Sequence, residues 1–241
     1  MISVRTKLYF SMENLILQQF FVFTFSERHD KMCSYLYFSF LRGQTMDSNF
    51  FALISRMRYI ARWGLMRNAL PENIQEHSHM VAVLAHALGV IRRDIFHQPC
   101  DVNALATAAL YHDASEILTG DLPTPIKYHN AEIMSAYHAV EDLAVQKLLG
   151  MLPPELRGTY ADVLAEDKDG DIYPLVKAAD KLSAYIKCIE ERKAGNNEFL
   201  SAEAQTRAAL EASPLPEVQY FLEHFIPAFE RDLDELGAIG Q

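Results

Sequence analysis

From Met46 to the C-terminus, apolar residues recur at the three- and four-residue spacing of amphipathic helices. Because a helix turns once every 3.6 residues, this spacing places the apolar side chains on one face, which other helices must cover. We find no segment after Met46 that alternates apolar and polar residues as a half-buried strand does. The pattern therefore predicts an all-α fold, with residues 46–241 forming a single domain.

Six helices are predicted from this periodicity and from its start and stop signals. They begin near Phe50, Asn73, Asp101, Ala131, Pro174 and Leu215. Asn73, followed three residues later by Glu76, is typical of a capping box. The helix from Ala131 is expected to end near Leu149, before a pair of prolines, and Pro227 is expected to kink the last helix.

Residues 1–45 differ from the rest of the chain, because ten of them are Phe or Tyr and no sustained helical period is present. The most apolar piece is too short to span a membrane, and no signal-peptide cleavage site follows it. We interpret residues 1–45 as an irregular, aromatic-rich N-terminal extension, translated from a start codon set too early. A targeting or partner-binding arm is the alternative.

Charge and cysteine content narrow the possible partners. The formal net charge of −10 argues against a nucleic acid polymer, which requires a basic surface, but not against a small phosphate ester. Three cysteines without a Cys-x-x-Cys pair exclude a disulfide framework and a zinc ribbon. No apolar run reaches the length of a membrane span. We expect a soluble, cytoplasmic protein without a membrane partner.

The adjacent residues His112 and Asp113 follow a run of small apolar residues. Burying an unpaired carboxylate is costly, so such a pair requires a partner such as a divalent cation, unless it marks the solvated end of a helix. On a continuous helix Glu116 would share a face with His112, although it could equally be a surface glutamate. The glycine- and proline-rich segment that follows could hold Asp121 and Thr124 beside the pair.

Two further candidates lie on other predicted helices. His77 begins the second helix, whereas His79 and His86 point away from it and are interpreted as ordinary surface or hydrogen-bonded core histidines. Asp180 lies mid-helix between small residues, where aspartate is a poor helix former without a specific reason. Its alternative interpretation is an exposed charge paired with a neighbouring lysine.

The order His77, His112-Asp113, Asp180 resembles that of the HD-domain metal-dependent phosphohydrolases. Five longer motifs are similar to those of the bacterial 5′-deoxynucleotidases of the YfbR type: Arg62-Trp63, Glu76-His77-Ser78, Tyr111–Glu116, Leu118–Pro125 and Gly195–Phe199. The resemblance extends from about residue 46 to about residue 236 and implies an HD-domain helical bundle.

The resemblance implies that His77, His112, Asp113 and Asp180 bind one divalent cation. Two imidazoles and two carboxylates suit Co²⁺, Mn²⁺ and similar ions, and affinity order does not choose among them. It also implies Glu116 as the general acid/base, with Asp121 either assisting proton transfer or binding the nucleotide. The implied substrate-binding residues are Arg62, Trp63, His77, Asp113, Asp121, Leu122, Pro123 and Thr124.

The implied reaction is hydrolysis of 2′-deoxyribonucleoside 5′-monophosphates to deoxynucleoside and phosphate, by a homodimeric enzyme of nucleotide metabolism. The segment from Leu122 to Thr124 is the candidate wall that excludes a 2′-hydroxyl. Two alternatives stay open. The first is an HD phosphohydrolase that acts on a dNTP, a cyclic nucleotide or an alarmone. The second is a metal-stabilised helical module without catalysis.

Overall fold

The structure is a computed structural model, and it describes residues 48–127, 129–165 and 170–237. Within these ranges the regular elements are helices, and a single isolated bridge pairs Ala61 with Asn73. The predicted all-α fold is confirmed. The predicted extension over residues 1–45 lies outside the described residues.

The helices are named in chain order. They are α1 (Phe50–Ile54), α2 (Ile74–Val90), α3 (Val102–Tyr111), α4 (Glu116–Thr119), α5 (Thr124–Lys127), α6 (Ala131–Gly150), α7 (Pro154–Leu164), α8 (Tyr173–Lys193), α9 (Leu200–Glu211), α10 (Pro216–His224) and α11 (Ile226–Phe229). Two 3₁₀-helices cover Ser55–Tyr59 and Asn197–Phe199, and a π-helical turn, Ile91–Ile95, extends α2. None of the helices in the described ranges is long and apolar enough to cross a membrane.

Several predicted helix starts are confirmed. The Asn73 side chain caps α2 by accepting hydrogen bonds from the main-chain N–H groups of Gln75 and Glu76, both at 3.1 Å. The Asp101 side chain caps α3 in the same way. Pro227 has a stronger effect than the predicted kink, because α10 ends at His224 and a separate short helix follows. Proline has no N–H and its ring clashes with the preceding turn, which stops a helix from continuing.

The prediction missed α7 and α9. Each of these helices buries a single residue, Leu164 in α7 and Leu210 in α9, so neither carries a long apolar stripe in its sequence. The proline pair expected to end α6 also begins α7, because Pro154 occupies the first helical turn, where its missing N–H costs nothing. The first predicted helix is divided into α1 and a 3₁₀-helix.

Helices α2, α3 and α8 pack together at the centre of the domain. Their shared core includes Val81, Leu84, Leu88, Leu105, Ala109, Leu175, Leu182, Ile186 and Ile189. Gly89 of α2 lies so close to α3 that a Cβ at this position would be 2.9 Å from the Leu105 side chain. This close packing fixes the three helices that carry the predicted metal ligands.

A second apolar cluster supports the turn that follows α3. Ala114 in this turn is fully buried, and it packs in one cluster with Phe50 of α1, Leu148 of α6 and Leu164 of α7. The turn contains His112 and Asp113, and α3 ends directly before it. The position of both residues is therefore fixed by packing from two sides.

A buried carboxylate attaches the segment before α2 to α8. Glu191 accepts hydrogen bonds from the main-chain N–H groups of Ala69 at 2.8 Å and Leu70 at 3.0 Å, and from the Asn196 side chain at 2.7 Å. It also pairs with Lys187, one turn earlier on α8. Burial alone would raise the pKa of Glu191, but the bonds from Lys187 and Asn196 lower it to about 2.

We predict that Glu191→Ala lowers the free energy of unfolding by about 3–5 kcal/mol, because it leaves Lys187 buried without its counter-charge. The matched control is Glu211→Ala, which breaks the exposed Arg207–Glu211 pair of the same spacing and should cost less than about 0.5 kcal/mol. Urea unfolding measures both free energies.

Because the pKa of Glu191 is lowered, the loss of unfolding free energy in Glu191→Ala should become smaller as the pH falls from 4.5 towards 2. Equal effects of the two substitutions would contradict the prediction.

Candidate active site

The structure brings three predicted ligands together from three helices. His77 lies in the first turns of α2, His112 directly after α3, and Asp180 in the middle of α8. Each offers one ligand atom, and these atoms lie within 4.8 Å of one another. His77 is fully buried, and its Nε2 atom is 3.1 Å from Asp180 Oδ1. Asp180 is thus bonded to the site and is not a solvated surface charge.

Both imidazoles are oriented by a hydrogen bond on the side away from the cluster. Nδ1 of His112 donates to the main-chain oxygen of Ala109 at 2.7 Å, and Nδ1 of His77 bonds to Ser183 Oγ at 3.1 Å. Since a carbonyl oxygen only accepts, a neutral His112 ring has its free lone pair on Nε2. That atom is buried, and no hydrogen bond of good geometry joins it to any of the described residues, although Asp113 Oδ2 lies 3.2 Å away. An imidazole fixed in this way is typical of a metal ligand.

Asp113, the fourth predicted ligand, lies beside this group. Its Oδ2 atom is 3.2 Å from His112 Nε2 and 3.6 Å from His77 Nε2, and it also contacts Nη1 of Arg62 at 3.3 Å. The compact group of three ligand atoms does not include Asp113. In this structure its carboxylate is shared between the imidazoles and the guanidinium.

Both carboxylates of the cluster have lowered pKa values. Burial alone would raise the pKa of Asp113, but His112, His77 and Arg62 together hold it well below its usual range. Burial acts in the same direction on Asp180, and its hydrogen bond to His77 likewise holds its pKa low. Two carboxylates therefore stay ionised inside the site, where a cation would be strongly favoured.

Glu116 reaches the site by a different geometry from the one predicted. The α3 helix ends at Tyr111 and does not continue through Glu116, so a shared helical face with His112 is wrong. The turn instead has hydrogen bonds between residues three apart, including Glu116 N–H to Asp113 O at 3.0 Å. In such a turn, side chains three residues apart align, which places Glu116 beside Asp113.

The Glu116 carboxyl is in an unusual environment. It is 7% exposed, and its Oε2 atom is buried without a hydrogen-bond partner. Burial and the neighbouring charges of Asp113 and Asp121 raise its pKa to about 10. Asp121 is half-buried, and burial raises its pKa too.

Arg62 and Trp63 lie at the edge of the cluster. Arg62 contacts Asp113 with Nη1 and pairs through Nε with Glu72 at 3.1 Å. The Trp63 indole Nε1 donates to the same Glu72 oxygen at 2.9 Å, and the ring packs edge-on against Phe199. The motif that ends with Phe199 therefore supports the arginine–tryptophan pair.

The segment after Asp121 differs from the predicted loop. Gly120 adopts a φ of 76°, which favours glycine, but Thr124 already begins α5. Leu122 and Pro123 are half-buried, and Thr124 is exposed. The roles of these three residues in substrate binding stay predictions.

The sequence interpretation did not identify Ser183, Glu72 or Glu191 as supporting residues. Ser183 follows Asp180 by three residues on α8 and therefore shares its helix face, which is a usable signal. Glu72 directly precedes the cap of α2, and Glu191 has the spacing of an ordinary surface pair with Lys187. Neither pattern by itself indicates a buried contact.

Comparisons with known proteins agree with this geometry. The model of a family described as 5′-deoxynucleotidase YfbR-like matches residues 49–229. Proteins named 5′-deoxynucleotidase YfbR from Shigella boydii and Escherichia coli are 50% identical over 192 residues, covering 79% of this chain and 96% of theirs.

Solved structures give the same fold. An HD-domain phosphohydrolase from Listeria innocua matches with a TM-score of 0.68 and 25% identity, covering 77% of this chain and 90% of that one. A protein from Pyrococcus horikoshii matches with a TM-score of 0.58 and 21% identity, covering 76% and 98% of the two chains. The second likeness concerns the fold alone.

We predict that Ser183→Ala weakens binding of Mn²⁺ to the metal-stripped protein about tenfold, because His77 loses the hydrogen bond that orients its ring. Isothermal titration calorimetry measures this affinity. Ser78→Ala is the matched control, since Ser78 is also buried and adjoins His77, but its hydroxyl has no partner in the structure. The same affinity in both variants would count against an orienting role for Ser183.

Proposed function

The chain belongs to the YfbR-like family of 5′-deoxynucleotidases, and on this basis we propose that it hydrolyses 2′-deoxyribonucleoside 5′-monophosphates to deoxynucleoside and phosphate. The observation that carries the proposal is the buried Nε2 atom of His112, which lies 3.2 Å from Asp113 Oδ2 but has no hydrogen bond of good geometry to any described residue. Leaving such an atom unsatisfied is costly unless a ligand binds it. The nearly full-length match to named 5′-deoxynucleotidases supports the choice of substrate.

The residues proposed to hold one divalent cation are His77, His112, Asp113 and Asp180. Their mixed nitrogen and oxygen atoms suit Co²⁺, Mn²⁺ or a similar ion. When bound, the cation supplies a Lewis acid that neutralises phosphate charge and lowers the pKa of a water molecule. Asp113 connects this set to Arg62, its guanidinium partner in the structure.

Arg62 is proposed to bind the phosphate group. A planar guanidinium forms paired hydrogen bonds with phosphate oxygens. Here Nε donates to Glu72 and Nη1 donates one hydrogen to Asp113, which leaves Nη2 and the second Nη1 hydrogen for the substrate. The side chain is 13% exposed, so bulk water screens its charge only weakly. Trp63 is proposed to pack beside the phosphate and fix its orientation.

Glu116 is proposed to transfer the proton, either from the attacking water or to the leaving 5′-oxygen. Its support is that the carboxyl is buried within reach of the Asp113 charge, and that its Oε2 atom has no hydrogen bond to any described residue. Asp121 is proposed to assist this transfer or to bind the nucleotide.

Selection of the deoxy sugar is assigned to the segment from Leu122 to Thr124. Binding a ribonucleotide against a wall that buries its 2′-hydroxyl without a hydrogen-bond partner costs about 1–3 kcal/mol of binding free energy. The segment lies between Gly120, whose φ is 76°, and the first residue of α5. The Tyr137 hydroxyl also bonds the main-chain oxygen of Gly120 at 3.3 Å, which ties the segment to α6.

The proposal includes two properties of the whole molecule. A homodimer is implied by the family resemblance, and size-exclusion chromatography with light scattering would measure it. A cytoplasmic location is proposed from cysteine usage. Cys100 and Cys188 are both free thiols in the structure, as is usual for proteins kept in a reducing compartment.

We predict that the protein, stripped of metal and reloaded with Co²⁺ or Mn²⁺, releases phosphate from dAMP about tenfold faster than from AMP. Glu116→Gln should lower kcat for dAMP at least about 100-fold, because it removes proton transfer. Glu132→Gln, an exposed glutamate of α6, is the control and should retain full activity.

dATP and cyclic AMP are tested as alternative substrates, with the products separated by chromatography, because opening a cyclic phosphate yields AMP and releases no inorganic phosphate. Release from dATP alone would favour a triphosphate hydrolase and would contradict the proposal. Hydrolysis of none of these nucleotides would contradict the proposed function and would favour the metal-stabilised helical module without catalysis. Equal rates with dAMP and AMP would overturn the sugar preference but not the phosphatase activity.

A further inference from the structure

We infer that Glu72 is a positioning residue for substrate binding, because a single carboxylate oxygen fixes the side chains of both Arg62 and Trp63. The inference rests on the proposed function, in which this arginine–tryptophan pair binds the phosphate. Glu72 itself contacts neither histidine of the cluster in the described contacts. It therefore acts through the pair and is not a catalytic residue.

The contacts are direct and largely shielded from water. Oε2 of Glu72 accepts a hydrogen bond from Arg62 Nε at 3.1 Å and another from Trp63 Nε1 at 2.9 Å. The Arg62 and Glu72 side chains are 13% and 15% exposed. At this low exposure a charge-assisted hydrogen bond is stronger than at the surface. Two consecutive side chains therefore share one fixed acceptor.

The backbone holds Glu72 in the right place. Arg62 N–H donates to the main-chain oxygen of Glu72 at 3.0 Å, and Ile74 N–H donates to the Ile60 oxygen at 3.0 Å. These bonds flank the antiparallel bridge between Ala61 and Asn73. Because α2 starts directly after this bridge, the position of Glu72 is linked to the helix that carries the His77 ligand.

The conformation of Trp63 makes its link to Glu72 more important. Its φ of 59° lies in the left-handed region, which is unfavourable for a bulky aromatic residue. Such a conformation persists only when surrounding contacts impose it. The indole bond to Glu72 and the edge contact with Phe199, at 5.2 Å between ring centroids, are those contacts.

Glu72 also controls which edge of the Arg62 guanidinium faces the site. With Nε held by Glu72, Arg62 reaches Asp113 with Nη1 at 3.3 Å. Without Glu72, the guanidinium would be free to turn and form a two-bonded pair with Asp113, a geometry that arginine and carboxylates favour. That pairing would occupy the nitrogen atoms that the phosphate needs.

The test compares Glu72→Ala with the conservative variant Glu72→Gln. Glu72→Ala should raise KM for dAMP about tenfold while kcat changes less than about threefold, because the reacting groups stay in place. Glu72→Gln keeps one acceptor oxygen and should restore part of this loss. Glu190→Ala is the matched control, since Glu190 lines the same cavity of about 190 Å³ as Glu72. Its KM should equal that of the wild type.

Trp63 provides a second readout that is independent of turnover, because it is the only tryptophan of the chain. Its emission should move to longer wavelength in Glu72→Ala, where the indole loses its partner, and stay unchanged in Glu190→Ala. Inorganic phosphate, titrated against this emission, should require about tenfold more ligand in Glu72→Ala than in the wild type.

The outcomes separate this inference from the proposed function. If wild-type protein binds phosphate but releases none from dAMP, the proposed function fails, and the phosphate titration still decides the role of Glu72. Unchanged phosphate affinity and unchanged emission in Glu72→Ala would overturn the inference. Loss of kcat without a change in KM would overturn it too. If Glu72→Ala does not fold, the affinity for inorganic phosphate is measured by the same titration on the isosteric Glu72→Gln variant.

Discussion

Two buried imidazoles with fixed orientations are the constraint on which the rest of this site depends. Each ring is bonded at Nδ1, to Ser183 or to the Ala109 main chain, and turns Nε2 towards the carboxylates of Asp113 and Asp180. Such a group of buried charged and polar atoms is expensive unless its members satisfy one another or bind a cation. The close packing of α2, α3 and α8 fixes these side chains in position.

One face of α8 connects this cluster to its surroundings. Asp180, Ser183, Lys187 and Glu191 follow one another at intervals of three and four residues, so they share one side of the helix. The first two serve the histidine cluster, and the last two hold the segment just after the arginine–tryptophan pair. A single helix thereby supports both the cation site and the phosphate-binding side chains.

The sequence was sufficient to predict the all-α fold, because helical periodicity indicates it. It was also sufficient to predict the convergence of His77, His112 and Asp180, because the family motifs imply it. It was less informative where the backbone departs from regular helix. Glu116 lies beside Asp113 through a tight turn that no periodicity describes. The Lys187–Glu191 pair has the spacing of a surface pair, yet both residues are buried, because burial depends on which segment covers them.

The most direct test of this account is the stoichiometry of Mn²⁺ bound to the metal-stripped protein, measured by electron paramagnetic resonance of the free ion. The account predicts one ion per chain, lost in His112→Ala and retained in His86→Ala, where the exposed histidine of α2 lies outside the cluster. Retention of the ion in His112→Ala would contradict the central claim that the buried imidazoles form the cation site.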